Sequence, residues 1–108
     1  LYTVTHTLRK ADFRVVEAMN GEEALTLARA EKADLIVLDV NLPDISGLEV
    51  SRRLREDPHT ASTAILHISA SFVRPEDRVI GLEGGADAYL THVEPKELVA
   101  TVRALIRM

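Results

Sequence analysis

Residues 34–39 read Asp-Leu-Ile-Val-Leu-Asp, four consecutive apolar residues between two carboxylates. A run without polar alternation suits a strand covered on both faces, the kind found in parallel sheets sandwiched by helices. "FRVVEA" (13–18), "AILHIS" (64–69) and "DAYL" (87–90) are further short, apolar or β-branched runs and read as strands. Between them lie helical patterns. Leu1, Val4, Leu8 and Ala11 are spaced by 3, 4 and 3, so residues 1–11 form one apolar helical face. Asn20–Gly21 starts a second helix with Glu22 and Glu23 in its first turn, running to about Lys32. A third runs from about Gly47 to Arg55, with Val50 and Leu54 inward. Pro75 suits the first turn of a fourth, with Val79 and Leu82 inward and Gly84–Gly85 ending it. The last runs from about Pro95 to Arg107 on a stripe of Leu98, Val102 and Leu105, beside Val99 and Ile106.

The order α-β-α-β-α-β-α-β-α predicts right-handed crossovers and an α/β fold, a doubly wound parallel sheet with helices on both faces. The length, 108 residues, is that of one domain, with no linker or repeat. A net charge of −4 leaves no broad basic surface to hold phosphate backbones, so direct nucleic-acid contact is not expected. The absence of cysteine removes thiolate chemistry and fits a reducing, cytoplasmic setting. No apolar run approaches the ~20 residues of a membrane span.

In open α/β sheets, ligands sit beyond the carboxyl ends of the strands. Asp39 stands at such an end and is followed by the turn formers Asn41, Pro43, Asp44 and Gly47. Ser69 ends the next strand, and Thr91–His92 follow the last. A carboxylate there can attack phosphorus, bind a hard cation, or cap a loop by accepting N–H bonds. Spacing alone leaves these three open. His6, His59 and His67 lack the i,i+4 spacing of a helical metal pair, and no Gly-rich fingerprint follows a strand. Arg52, Arg53 and Arg55 read as a solvated helix face.

The segments "NGEEAL", "DLIVLDVNLPDISGLEVSRRLR", "HISAS", "GLEGGADAYLT" and "VEPKEL" resemble, in order, those of response-regulator receiver domains. These are CheY-like, flavodoxin-like phosphoacceptor modules of two-component (phosphorelay) signal transduction. "HISASFVRPEDR" and "ADAYLTHVEP" look most like receivers joined to hybrid sensor histidine kinases. The resemblance implies that Asp39 takes a phosphoryl group from a histidine kinase or phosphotransfer protein, with Mg²⁺ neutralising the phosphoryl oxygens. It implies that Ser69 is the switch hydroxyl and Tyr89 the aromatic that moves inward with it. It places Asn41 where a backbone carbonyl joins Asp39 as a metal ligand. It implies a signalling domain rather than an enzyme, with an output or kinase domain in the same longer chain. Residues 75–107 would be the switching surface, open to a homodimer.

Three departures qualify the likeness. The family's acidic metal pair and first, central strand precede the helix that here begins at residue 1. Unpaired buried backbone groups cost about 1–3 kcal/mol each, and over a strand that rivals the ~5–15 kcal/mol stability of a domain. Residues 1–108 are therefore expected to be a single receiver truncated at its N-terminus, with about 10–15 residues upstream. A strand borrowed from another subunit is the alternative. Thirdly, His92 occupies the family's lysine place and Val93 that of the following proline. Protonated, the imidazole donates to phosphoryl oxygens, but it is shorter than lysine and not always charged. The loss motivates a second reading, a degenerate receiver that only binds or dimerises. A metabolic enzyme of flavodoxin-like shape, by fold analogy alone, is the third.

Overall fold

The computed structural model describes residues 2–39, 42–69, 79, 84–91 and 94–107, with only the backbone of Tyr2. Helix α1 spans Tyr2–Lys10, α2 Gly21–Glu31, β1 Leu35–Asp39, α3 Gly47–Glu56, β2 Ala64–Ile68, β3 Ala88–Leu90 and α4 Pro95–Arg107. The strands form one parallel sheet in the order β1-β2-β3.

The apolar run of β1 divides its side chains between two cores. Ile36 and Leu38 pack with Ala28 of α2 and with Val50 and Leu54 of α3. Leu35 and Val37 pack on the opposite side with Val4 and Leu8 of α1 and Leu98 and Val102 of α4. Both faces are thus covered by helices, which is why β1 carries no polar alternation. The same parity continues in β2, where Ile65 faces α2 and α3 while Leu66 and Ile68 face α1 and α4.

Local chemistry sets the helix ends. Helix α1 stops where Asp12 takes a left-handed φ of 71°. The amide of Phe13 then donates to the Leu8 carbonyl at 3.0 Å, and that of Asp12 to Arg9 at 3.0 Å, closing a Schellman turn. Helix α2 opens on a cap that resembles a capping box shifted by one residue. Asn20 accepts from the Glu23 amide at 2.8 Å, and Glu23 accepts from the Met19 amide at 3.0 Å.

Three expectations need correction. "FRVVEA" forms no ladder among the described residues, although Phe13 and Val15 pack on the α1/α4 side. Strand state requires a hydrogen-bonded neighbour, and β1 pairs with β2 alone among the described residues. β-Branched composition therefore pointed to the wrong state. Val79 is helical as expected but 50% exposed rather than inward, and Leu82 lies outside the described residues.

Arg55 is the third. It is a bracket rather than part of a solvated face, unlike Arg52, which pairs with Glu49 and Glu56 on the surface. Its guanidinium donates to the Gly85 carbonyl at 3.0 and 2.8 Å, to Ala61 at 2.9 Å and to Thr63 at 2.6 Å. It also reaches Asp87 Oδ2 at 2.8 Å, and that oxygen accepts the Ile65 amide at 2.8 Å. One side chain thereby ties the end of α3 to the starts of β2 and β3. Gly85 is required there, because its φ is +113° and an added Cβ would meet Arg55 Cγ at 3.0 Å. Arg55→Ala is expected to lower the unfolding free energy by about 2–4 kcal/mol, since several acceptors lose one charged donor. Arg52→Ala is expected to cost less than about 1 kcal/mol. Urea denaturation at neutral pH measures both.

Candidate functional site

The register of the ladder builds the rim. Asp39 pairs with Ile68, and Ile68 with Leu90, so three strands end at one level. The Ser69 amide donates to the Leu90 carbonyl at 3.0 Å, carrying the pairing one residue past β2. Asp39, Ser69 and Thr91 therefore stand at neighbouring carboxyl ends, where a ligand of a parallel sheet is expected. Ser69 is buried and Asp39 half-buried. Asn41 and His92 lie outside the described residues.

Tyr89 sits one level below this rim, 8% exposed, beside His67 on the neighbouring strand. The two ring centroids are 6.0 Å apart and tilted by 42°. His67 is fully buried, and its Nε2 lies 2.5 Å from the equally buried Ser51 Oγ of α3. Its Nδ1 has no hydrogen-bond partner among the described residues. Burial lowers the imidazole pKa from its usual 6.5, which favours the neutral ring.

The loop that follows Asp39 is anchored by a residue that sequence reading treated only as a turn former. Asp44 accepts the amides of Gly21 at 2.7 Å and Glu22 at 3.0 Å, the first free donors of α2. These two backbone bonds, that of Glu22 first, hold its carboxyl at about 2, below the usual 3.8. The seat is tight, because a Cβ on Gly21 would meet Ile45 Cγ1 at 2.5 Å. Ser46 then caps α3 by accepting the Glu49 amide at 3.1 Å.

One carboxylate of the described rim, Asp39, suits a hard cation. No group of three His, Cys, Asp or Glu side chains able to hold a metal occurs among the described residues. That donor set alone does not fit octahedral Mg²⁺. Among the described residues, no helix is long and apolar enough to cross a membrane.

A family model described as the response regulator receiver domain matches residues 1–103. The alkaline phosphatase synthesis transcriptional regulatory protein PhoP of Bacillus subtilis is 43% identical over 103 residues. That match covers 94% of this chain and 42% of PhoP, and the chain spans under half the length of several such regulators. The BeF₃-activated receiver domain of Klebsiella pneumoniae RstA superposes with a TM-score of 0.88 at 30% identity. It covers 98% of this chain and 88% of that one. The receiver domain of the Pseudomonas aeruginosa sensor histidine kinase PA1611, solved with magnesium in its active-site cleft, gives a TM-score of 0.89. At 24% identity, over 99% of this chain and 88% of that one, it speaks to the fold alone.

The Asp44 anchor has a pH signature. A carboxyl depressed in the folded state contributes stability that is complete above its unfolded value of 3.8 and lost as pH falls through about 2. Between pH 4 and 2 the wild type is expected to lose melting temperature more steeply than Asp44→Asn. Equal slopes in the two proteins would contradict the anchor. Amide hydrogen exchange at Gly21 and Glu22 should also quicken in Asp44→Ala.

Proposed function

The chain belongs to the response-regulator receiver family of two-component signalling, and from that premise we propose that Asp39 accepts a phosphoryl group from a phosphohistidine. The donor is a histidine kinase or a phosphotransfer protein. An Asp39 carboxylate oxygen attacks phosphorus, the P–N bond breaks, and the imidazole leaves with the bonding pair and is then protonated. The product is an acyl phosphate on Asp39. Such transfer is mostly positioning and charge stabilisation, so the neighbouring groups carry as much of the chemistry as the nucleophile.

The supporting observation is the ladder register that sets the ends of β1 and β2 side by side. Ser69, next to Asp39 on the rim, donates its hydroxyl to a phosphoryl oxygen. His92, in the family's lysine place, supplies a second donor. Tyr89 follows Ser69 and transmits the change to residues 75–107. Two exposed apolar side chains in that stretch, Val79 and Ile106, suit a contact with an output domain, a kinase domain or a second copy. Mg²⁺ is the ion this reading implies, with Asp39 and the Asn41 carbonyl among its ligands. Toward it the described residues supply Asp39 alone. The reading places the chain in the cytoplasm, within a longer protein, as a signalling module rather than an enzyme.

The second reading, a receiver that binds without being phosphorylated, is motivated by His92 and by Val93 in the proline place. One experiment separates the two. The full-length protein is incubated with a phosphorylated histidine kinase and Mg²⁺, and transferred label is counted. Label on the wild type that vanishes in Asp39→Asn supports the acceptor. Label that persists in Asp39→Asn rejects it, and an unlabelled wild type beside a labelled control receiver favours the binding module.

A further inference from the structure

A neutral imidazole offers one donor and one acceptor. In His67 the Ser51 hydroxyl, 2.5 Å away, occupies Nε2. Either tautomer then leaves Nδ1, in a fully buried position, with a hydrogen bond unmet among the described residues. Such a group is costly, and a native structure that keeps one calls for a reason. The orphan lies next to the one aromatic ring that the proposed switch moves. Tyr89 pairs with His67 across the ladder, and its ring stands 6.0 Å from the imidazole. In the structure Tyr89 is inward and His67 is fully buried. A ring that swings out opens this side of His67 to a water molecule, which satisfies Nδ1.

We propose that His67 is a positioning residue that holds Tyr89 back, setting its resting inward population through a buried nitrogen that the inward ring leaves unbonded. This rests on the reading that Tyr89 moves with Ser69. Phosphorylation must then overcome the bias, so the chain rests further from its active arrangement than an apolar residue 67 would allow. Ser51 is part of the device, because it satisfies the other nitrogen and ties the imidazole to α3. Apparent affinity for a phosphoryl group falls with the fraction of molecules in the competent state. Removing the orphan nitrogen should therefore strengthen binding of a phosphoryl mimic.

The test uses His67→Met, similar in volume and without a hydrogen-bonding nitrogen, in the full-length protein, with His67→Leu as a second replacement should the first fail to fold. Photo-CIDNP, which polarises solvent-exposed tyrosine rings, reads Tyr89 directly in the unliganded protein. The Tyr89 signal is expected to fall by about threefold or more in His67→Met, and to rise in Ser51→Ala, which orphans both nitrogens. Beryllofluoride with Mg²⁺, titrated against backbone amide shifts, is expected to bind His67→Met about tenfold more tightly. A merely structural histidine would change the melting temperature and leave Tyr89 exposure as it was. A folded His67→Met or His67→Leu protein whose Tyr89 signal is unchanged or increased overturns the proposal. Beryllofluoride that fails to bind the wild type counts against the phosphoacceptor reading instead, and Tyr89 exposure still decides the role of His67.

Discussion

The parallel ladder between β1, β2 and β3 is the constraint on which everything else in this chain depends. Its register sets Asp39 against Ile68 and Ile68 against Leu90. A slip of one residue would send every side chain of a strand to the other face. Here both faces are buried, so a slip would move Leu35 and Val37 into the space that Ile36 and Leu38 fill. Two filled cores thus fix the register from both sides. The position of Asp39 beside Ser69 follows from that packing and needs no contact between the two residues to enforce it.

Around this rim the chain places two polar connections, one at the surface and one buried. Asp44 joins the loop after Asp39 to the start of α2, using a carboxylate where free helix amides point outward. Ser51 joins α3 to His67, one strand away from Tyr89. Ser46 of the loop after Asp39 caps α3, Ser51 of α3 meets His67, and the His67 ring neighbours Tyr89. On the proposal above, a ring with a hydrogen-bonding penalty in one position supplies the basis for a two-state response.

Much of this was legible in the sequence because the signals were local or periodic. The unalternating "LIVL" of β1 announced a strand covered on both sides, and the stripes of α1 and α4 announced the helices that cover it. Asp39 and Ser69 could be placed because strand ends in a parallel sheet share one rim. The bond-making roles of Asp44 and Arg55 were not legible, because side-chain bonds to backbone groups six to thirty residues away leave no periodic trace. "FRVVEA" misled for the opposite reason, since its composition is local but strand state needs a neighbour. His67 did carry a signal, an imidazole in the middle of the buried run "AILHIS", and a buried polar ring must either find partners or exact a cost.

The reading of this chain as a phosphoacceptor stands on the carboxyl of residue 39 receiving the phosphoryl. Borohydride reduction of the phosphorylated full-length protein, followed by peptide mass spectrometry, tests it most directly, because hydride converts an aspartyl phosphate into homoserine at the modified position. Homoserine is expected at position 39. Homoserine at another aspartate, with position 39 unchanged, would contradict it.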